Sequence, residues 1–279
     1  MQGLKYLHSK ASEVLEPTYN VFNFQMLSKA QGYYICRVNI KVLPDQQSSL
    51  SKKEQVEQMF DSIAGKYDFL NRLLSLRIDV LWRNKVVKLL KPYQPKLILD
   101  VATGTADLAL TLMKLNPTKI VGLDLSQNML NIGQQKIDKL GFQNSIELVK
   151  GDGENLPFES NSFDAVTVAF GVRNFEHLEP GLREIYRVLK PGGQFIILEF
   201  SKVKTFPLKQ FYYIYFSYIT PAIGKLFSKD SKAYTYLPNS VKVFPEGEEL
   251  CVILQQSGFK QTICKPQSFG IASIYQSVK

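Results

Sequence analysis

The sequence predicts an α/β protein with a mostly parallel, seven-stranded sheet, its last strand antiparallel, and helices on both faces. Between residues 96 and 200, short apolar runs alternate with helical segments, which is typical of parallel strands buried on both sides. After residue 258, two more strand-like runs are separated only by Gln267 and Ser268, which favours an antiparallel hairpin at the sheet edge.

Composition restricts the class of protein. Hydrophobic residues make up 45% and charged residues 21% of the 279 residues, so the chain can bury a sizeable core. The three cysteines, Cys36, Cys251 and Cys264, form no CxxC pair, and there are only two histidines. We therefore expect no disulfide framework and no metal site, and a reducing cytoplasm fits this cysteine usage best.

The net charge of +9 leaves nucleic acid, an anionic membrane and an anionic substrate open as partners. The lysines are scattered without a dense basic run, which fits an ordinary solvated surface equally well. No apolar run approaches the roughly 20 residues of a membrane span, and the N-terminus lacks the apolar core of a signal peptide. We expect a cytoplasmic protein, with peripheral contact at the inner face of the cell membrane left open.

Residues 1–50 differ from the rest of the chain and have no sustained helical or strand period. One strand is predicted within residues 33–43, and a polar linker follows over residues 44–53. We interpret residues 1–50 as an N-terminal extension that is poorly ordered or that reflects an upstream start codon, since Met26 lies inside it.

The main domain, residues 51–279, begins with two predicted helices. Ser51 followed by Glu54 is a capping-box pattern, and a second helix over residues 79–91 ends near Pro92. The apolar residues of the first helix recur at helical spacing: Val56, Met59, Phe60 and Ile63.

Alternating strands and helices follow. The predicted parallel strands cover residues 96–102, 119–125, 145–152, 163–170 and 194–200. The helices between them cover residues 106–115, 126–141 and 181–190. Ser126 is the predicted N-cap of the second of these helices and Gly141 its end. The closing hairpin pairs residues 259–266 with 269–278.

Residues 205–240 interrupt this alternation and are predicted to form a helical insertion. They are rich in Tyr and Phe with Lys between them, a composition that suits a membrane interface or an apolar substrate channel. A helical cover packed on the sheet, or a dimer face, fits the same composition.

The turn after the first parallel strand carries the first functional signal, because ligands of such sheets bind beyond the carboxyl ends of the strands. Gly104 lets the backbone approach a ligand closely, and the next helix offers free N–H groups. Thr103, Thr105 and Ala106 keep the turn slim. Neither GxGxxG nor GxxxxGK[ST] is present, which argues against a dinucleotide and excludes a phosphate-binding loop.

Three acidic residues, Asp100, Asp124 and Asp152, fall at the ends of three successive strands. Asp124 can accept both hydroxyls of a ribose. Asp152 is placed to meet the exocyclic amine of an adenine, and Gly153 leaves room for the ring. Singly, Asp100 or Asp124 could be a cap or turn residue. In register, the three indicate S-adenosylmethionine, whose sulfur and amine are cationic.

Four segments resemble blocks of the UbiE/MenG family of quinone C-methyltransferases. The two signatures are YDFLNRLLSLRIDVLW at residues 67–82 and RVLKPGGQFIILEFS at residues 187–201. AFGVRNFEHLEPGLREI at residues 169–185 and SKAYTYLPNSVKVFPEGEEL at residues 231–250 resemble further blocks. RVLKPGG is common to many methyltransferases, whereas FGxRN and YxYLPxS are specific to this family. The likeness runs in order from Gln55 to Lys279.

The resemblance implies the class I, Rossmann-like fold of S-adenosylmethionine-dependent methyltransferases, and methyl transfer to a ring carbon of a reduced polyprenyl quinone. GTAD and ITPAIGKLF make the chain most similar to the family's demethylmenaquinone methyltransferases, which convert demethylmenaquinol to menaquinol in menaquinone biosynthesis. Methylation of a polyprenyl benzoquinol in ubiquinone biosynthesis is the alternative. The motif positions imply cofactor contacts at Thr105, Asp124, Asp152 and Gly153. Asp100 and Gly104, from the turn after the first parallel strand, are the other two predicted cofactor-binding residues.

The sequence departs from the family pattern at two positions. Asp79 stands where the first signature usually has His, so that imidazole is missing. Ala169 stands where some members have Ser, so a hydroxyl contact is missing there.

Carbon methylation needs an electron-rich ring carbon, which a quinol provides when a hydroxyl loses its proton. The predicted catalytic residues are Arg173 for phenolate charge, Asn174 for a hydroxyl or water, and His177, an imidazole close by in sequence that could act as acid or base. An Arg173 held by a carboxylate in a structural turn and a solvated His177 are the alternatives. Tyr67 and Asp68 fit either a lid over the cofactor or an ordinary helix end.

Two rival classes of protein remain to be weighed. An NAD-dependent oxidoreductase would need the missing GxGxxG. A basic nucleic-acid-binding protein would bind oligonucleotides in a salt-dependent way. FGVRN stands where RNA methyltransferases of this fold often have Pro-Pro-Tyr or paired Cys. We expect a polyprenyl quinol as substrate and no nucleic-acid partner, with a homodimer left open.

Overall fold

The computed structural model describes residues 21–26, 36–40, 42–75, 77–203, 210 and 231–279. Strands β1 (Val21–Met26) and β2 (Cys36–Ile40) form a separate antiparallel pair. The main sheet contains seven strands: β3 (Leu97–Val101), β4 (Lys119–Asp124), β5 (Ile146–Lys150), β6 (Phe163–Ala169), β7 (Leu189–Phe200), β8 (Lys260–Gln267) and β9 (Ala272–Val278). The described α-helices of four residues or more are α1 (Lys52–Leu74), α2 (Ile78–Leu90), α3 (Asp107–Leu112), α4 (Gln127–Leu140), α5 (Leu178–Val188), α6 (Ser231–Val243) and α7 (Glu248–Gln256).

The strand order of the main sheet is β5-β4-β3-β6-β7-β9-β8. Every neighbouring pair is parallel except those of β9, which runs antiparallel to both β7 and β8. The predicted fold class is therefore confirmed. The chain extends the sheet in one direction from β3 to β5 and in the other from β6, so the switch point lies between β3 and β6.

Both faces of the sheet are covered, as the continuous apolar strands predict. Ile98 and Ile196 pack with residues of α2, α3 and α4, whereas their neighbours Leu99 and Ile197 pack with residues of α5 and α7. Successive strand residues point to opposite faces, so each strand feeds two apolar layers at once.

Two helices begin as the sequence predicts. At the start of α1, Ser51 N donates to Glu54 Oε2 over 2.8 Å and Glu54 N donates to Ser51 Oγ over 3.2 Å, which completes the capping box. Ser126 caps α4 by accepting a hydrogen bond from Met129 N, and Gly141 ends that helix with φ 75°.

The junction of α5 and β7 differs from the prediction in its bounds. The helix ends at Val188, two residues early, and β7 begins at Leu189 rather than at residue 194. Between its pairings at Leu189 and Gln194, β7 shifts register against β6, and Gly192 N donates to the Lys279 carbonyl over 3.1 Å. The Pro-Gly-Gly turn is thus absorbed into the strand as an irregularity.

The last part of the predicted N-terminal extension lies against α1. Val42 packs with Met59, Ile63 and other residues of α1, and Asp45 N donates to Gln55 Oε1 over 2.8 Å. Of the predicted insertion, residues 231–240 belong to α6, and residues 205–209 and 211–230 lie outside the described residues. No helix within the described ranges is both long and apolar enough to cross a bilayer.

Candidate active site

A cleft opens at the carboxyl ends of β3, β4 and β6 and beside the loop after β5, where the strand order switches. It encloses about 700 Å³ when the open solvent at its mouth is included. Helix α1 forms its roof through Lys53, Val56, Phe60 and Tyr67. The residues at the strand ends that line it include Ala102, Gly104, Asp124, Ser126, Asp152, Gly153, Ala169, Phe170, Gly171 and Asn174.

The turn after β3 is tightly wound. Ala102, Gly104 and Ala106 all have positive φ, at 54°, 56° and 63°, so every second residue is left-handed. This conformation disfavours large or β-branched side chains, which explains the run of small residues. As a result Gly104 N points at the end of β4 and donates to Asp124 Oδ2 over 2.8 Å.

Asp124 is the carboxylate in the centre of the cleft. Its Oδ1 accepts from Ser126 N over 2.9 Å, so each oxygen receives one backbone N–H and keeps capacity for a second donor. Burial raises the pKa of Asp124 to about 6, against the effect of these hydrogen bonds from Ser126 and Gly104. A ribose diol has the two donors that this carboxylate can accept.

Asp152 follows β5 at the far wall of the cleft. Its Oδ1 accepts from Glu154 N over 2.9 Å, and its Oδ2 pairs with Lys53 Nζ over 2.5 Å. The hydrogen bond to Asp152 raises the pKa of Lys53. A Cβ at Gly153 would lie 2.8 Å from Val101 Cγ1 and 3.0 Å from the Phe175 ring, so only glycine fits here. Gly153 and Asp152 both line the cleft, and a carboxylate acceptor at this wall suits a nucleobase amine.

Polar contacts hold the roof helix to the walls of the cleft. Asp61 Oδ1 accepts from Ser126 Oγ over 2.5 Å. Asp68 accepts from Thr105 Oγ1 over 2.5 Å and pairs with Lys136 over 2.6 Å. Tyr67 lies in the cleft and Asp68 on the wall behind it, so both belong to the roof and its attachment.

Two predicted cofactor residues do not line the cleft. Asp100 is 1% exposed, and its oxygens accept from Thr103 Oγ1 over 2.7 Å and Thr167 Oγ1 over 2.6 Å. Burial raises the pKa of Asp100 to about 6. Thr105 is 2% exposed and is engaged with Asp68. Both residues support the turn from below, while Gly104, Asp124, Asp152 and Gly153 form the wall of the cleft.

The three predicted catalytic residues lie in three different environments in the structure. Asn174 lines the cleft. Arg173 is 6% exposed, donates to Glu199 Oε1 over 2.7 Å and lies 5.5 Å from the centre of the Phe200 ring. His177 is exposed at the start of α5 and is not among the residues that line the cleft. Arg173 therefore takes the carboxylate-bound arrangement that the sequence left open.

Four residues of the site were missed by the sequence analysis. Lys53 and Asp61 contact the cleft residues Asp152 and Ser126 from α1, and Tyr236 donates from its hydroxyl to Asn174 Oδ1 over 3.1 Å. Glu199 neutralises Arg173. The helical spacing of Lys53, Asp61 and Asp68 was a signal for one polar face of α1, but nothing in the sequence identified the partners of Tyr236 and Glu199.

Asp79, which replaces the histidine of the family signature, is 3% exposed. It accepts from Ser75 Oγ over 2.6 Å and pairs with Arg83 over 2.5 Å. This position therefore supports α2 from within and does not enter the cleft. The described residues contain no group of three or more His, Cys, Asp and Glu side chains that could hold a metal ion.

Solved structures of methyltransferases share this architecture. A SAM-dependent methyltransferase from Thermotoga maritima, described as a possible histamine N-methyltransferase, matches 80% of this chain and 99% of its own, with a TM-score of 0.56 and 20% identity. A putative S-adenosyl-L-methionine-dependent methyltransferase from Methanococcus maripaludis matches 84% of this chain and 96% of its own, with a TM-score of 0.56 and 19% identity. The fold of the sheet and its covering helices is that of the class I S-adenosylmethionine-dependent methyltransferases.

Sequence comparison identifies the family. The model of the ubiE/COQ5 methyltransferase family matches residues 48–279. A demethylmenaquinone methyltransferase of Bacteroides fragilis is 48% identical over 229 residues, 82% of this chain and 94% of the relative. A ubiquinone/menaquinone biosynthesis C-methyltransferase of Geotalea daltonii is 44% identical over 230 residues, 82% of this chain and 97% of the relative. The chain belongs to the ubiE/COQ5 methyltransferase family, and it is an S-adenosylmethionine-dependent enzyme.

Proposed function

We propose that this enzyme methylates a ring carbon of demethylmenaquinol to give menaquinol, with S-adenosylmethionine as methyl donor. The observation that carries the proposal is the 48% identity to a demethylmenaquinone methyltransferase across 94% of that relative. The cleft supports it, because Asp124 is an acceptor for a ribose, Asp152 is an acceptor for a nucleobase amine, and Phe170 and Phe175 give part of the lining an apolar character.

The cofactor would be held by four residues of the cleft wall. Asp124 accepts the ribose hydroxyls, Asp152 accepts the adenine amine, and Gly153 admits the ring. Gly104 positions Asp124 through its backbone N–H. Asp100 and Thr105 contribute by holding the turn that carries Gly104, through Thr103 and Asp68 respectively. When bound, S-adenosylmethionine supplies an electrophilic methyl group.

The residues at the mouth would orient the quinol. Tyr236 donates to Asn174 Oδ1, and Asn174 Nδ2 donates to the Phe170 carbonyl over 3.5 Å, which fixes the side-chain amide and leaves its second N–H to donate to a quinol oxygen. Negative charge on that oxygen spreads to the ring carbon that accepts the methyl group. The carbon–sulfur bond of the bound donor would break as the new C–C bond forms, leaving S-adenosylhomocysteine. The ring C–H bond would then break and its proton would pass to solvent as the quinol is restored.

Arg173 does not line the cleft and affects this chemistry through its neighbours. It lies against Phe200 and Glu199, and its charge opposes the rise that burial causes in the pKa of Tyr67 in the cleft. We assign Arg173 the role of positioning the turn that carries Asn174. His177 lies outside the cleft, and we assign it no contact with the quinol.

Benzoquinol methylation in ubiquinone biosynthesis is the second candidate, because relatives at 44% identity carry both quinone names. A polyprenyl substrate implies that the enzyme works at a membrane surface, and we extend the proposal to peripheral contact with an anionic membrane. Oligomerisation as a homodimer is compatible with the described residues.

The test is a methyl-transfer assay with labelled S-adenosylmethionine and two acceptors, a reduced naphthoquinol and a reduced benzoquinol with equal prenyl tails. We expect transfer to the naphthoquinol at a much higher kcat/KM. Transfer only to the benzoquinol would replace the proposal by its alternative, and transfer to neither would refute both.

The same assay tests the role of Asn174. Asn174→Ala is expected to lower kcat by roughly tenfold or more, since it removes a donor to a charged oxygen. Asn131→Ala, on the exposed face of α4, is the matched control and is expected to behave as wild type.

A further inference from the structure

Large hydrophobic side chains are exposed together where α1 ends and α2 begins. Eight large hydrophobic residues among those described are exposed, and four of them surround this point: Phe69 at 56%, Val80 at 39%, Leu81 at 62% and Phe269 at 75%. Single exposed apolar residues are ordinary, but a contiguous group marks an interaction site.

A hydrogen bond between α2 and the turn before β9 brings two of these segments together. Val80 and Leu81 are consecutive on α2, and Trp82 Nε1 donates to Ser268 Oγ over 2.8 Å. This hydrogen bond holds the turn between β8 and β9 against α2, so Phe269 lies one residue from it on one side and Leu81 one residue from it on the other. Phe69 is exposed on the last turns of α1, the helix that precedes α2 along the chain.

The turn that carries Phe269 is strained in a way that presents the ring. Ser268 and Phe269 have φ 46° and 60°, left-handed conformations that disfavour residues other than glycine. Although this backbone is unfavourable for Phe269, its ring is the most exposed of the eight. A free molecule gains nothing from this arrangement, whereas a partner that covers the ring would.

Basic residues border the apolar group. A basin of about 730 Å³ beside Val80 is lined by Arg72, Arg77, Arg83 and Lys114, with a single carboxylate at Asp107. Phe69 lies three residues before Arg72 on α1 and Leu81 four residues after Arg77, so apolar and basic side chains alternate around the rim.

The positive charge of the basin is only partly neutralised within the described residues. Arg83 has the carboxylate partners, Asp79 at 2.5 Å and Asp107 at 3.6 Å, and Asp107 is shared with Lys136. Arg83 is 7% exposed and its Nε has no hydrogen-bond partner among the described residues. A buried donor without a partner costs free energy, and Arg83 is one of the cations that line the basin.

We propose that this surface, Phe69, Val80, Leu81 and Phe269 with Arg72, Arg77 and Lys114, docks on an anionic phospholipid bilayer. The exposed rings and Leu81 enter the interface, and the basin receives a lipid phosphate. A second copy of this chain is the weaker occupant, because a symmetric contact would set the same cations against one another. This inference rests on the proposed polyprenyl substrate, which resides in a bilayer.

The position of this surface in the fold supports a functional role. The turn between β8 and β9 precedes the start of β9, which pairs with the end of β7, so it lies at the carboxyl edge of the sheet. The cofactor cleft opens at the same edge. Docking here would bring the mouth of the cleft beside the lipid that carries the substrate.

The test is flotation of the purified full chain with vesicles of phosphatidylcholine alone or mixed with phosphatidylglycerol. Wild type is expected to float with the mixed vesicles only. Arg72→Glu with Arg77→Glu, and Leu81→Gln with Phe269→Gly, are each expected to lower the bound fraction by roughly tenfold. Lys139→Glu with Leu140→Gln, an exposed pair at the end of α4, is the control and is expected to float as wild type.

Methyl transfer to a tail-less naphthoquinol, together with the thermal midpoint, separates this proposal from the proposed function. Arg72→Glu with Arg77→Glu, or Leu81→Gln with Phe269→Gly, supports docking if the variant keeps the methyl-transfer rate and the thermal midpoint but loses flotation. The proposal would be overturned if these double variants float as well as wild type. It would also be overturned if wild type binds neutral vesicles as well as the mixed ones. Dimers dispersed by these variants, with no vesicle binding, would assign the surface to self-association. Absence of methyl transfer by the wild-type enzyme would refute the proposed function. The flotation result would still decide whether this surface docks on a bilayer.

Discussion

Four acidic residues stand at the carboxyl edge of the main sheet, and they divide into two pairs. Asp124 and Asp152 line the cleft and accept mainly from backbone N–H groups and one lysine. Asp100 and Glu199 are each 1% exposed, and side chains of the protein itself engage them, two threonines for Asp100 and Arg173 for Glu199. The first pair has capacity for a ligand, and the second has its partners inside the fold.

The two pairs differ in the groups that donate hydrogen bonds to their carboxylates. Residue type and position along the chain do not separate the pairs. A carboxylate that receives backbone donors is held in place and still presents lone pairs outward, so it can bind. A carboxylate enclosed by hydroxyls or by a guanidinium is fixed in the framework and would cost free energy to expose or to break. Variants of the two pairs are therefore expected to separate binding from stability.

The largest expected effect is on binding at the cleft. Asp124→Ala removes two hydrogen bonds to a charged group, each worth about 1.5–3 kcal/mol, so affinity for S-adenosylhomocysteine should fall by roughly 100-fold or more. Calorimetric titration measures this, and the fold should survive. Asp138→Ala, an exposed carboxylate of α4, is the control. Retained affinity in Asp124→Ala would remove it from the site.

The next effect is on stability at the framework. Glu199→Gln leaves Arg173 charged and buried without its carboxylate, which should lower the free energy of unfolding by about 3 kcal/mol. Denaturant unfolding measures the loss. Arg173→Met together with Glu199→Leu should recover most of it, since both charges are then gone. A double variant as unstable as Glu199→Gln would contradict the ion-pair explanation.

A change of pH is expected to affect cofactor binding through Asp124 alone and stability through both Asp124 and Asp100. Burial raises the pKa of both Asp124 and Asp100 to about 6 in the folded protein, above the value of an exposed aspartate. The folded state thus holds protons more tightly, and the contribution of both groups to stability falls as pH rises from about 4 to 6. Affinity for S-adenosylhomocysteine should instead fall below pH 6, because a protonated Asp124 accepts fewer hydrogen bonds.

Asparagine variants separate these two contributions. Asp124→Asn should remove the pH dependence of affinity, and Asp100→Asn should keep it while flattening the pH dependence of the thermal midpoint. Titrations from pH 5 to 8 and melts from pH 4 to 8 measure the two effects. An affinity profile lost in Asp100→Asn would place that residue in the binding site after all.

The smallest effect concerns the lysine that covers Asp152. Lys53 pairs with Asp152 Oδ2 at 2.5 Å with both side chains partly exposed, so the pair itself contributes little. An adenine amine that uses this oxygen must share it with Lys53. Lys53→Met is therefore expected to tighten binding of S-adenosylhomocysteine by about two- to fivefold. Weaker binding would mean that Lys53 contacts the cofactor favourably.

Much of the fold could be predicted from local pattern. The alternation of apolar strands and helices, the capping box at Ser51 and Glu54, and the cap at Ser126 depend on neighbours within a few residues, and the structure has each of them. The bounds of β7 could not be predicted, because its register against β6 depends on a strand more than twenty residues earlier.

The sequence by itself determined the fold class, the family, the cofactor and the position of Asp124, because each follows from periodicity or from a motif within one segment. Only the tertiary structure shows that Asp100, Thr105 and Arg173 have partners inside the fold, and that Lys53, Asp61 and Tyr236 contact residues of the cleft. The reason is that a side chain's role depends on burial and on partners as far as 99 residues away, and these exist only once the sheet and its roof helix have come together.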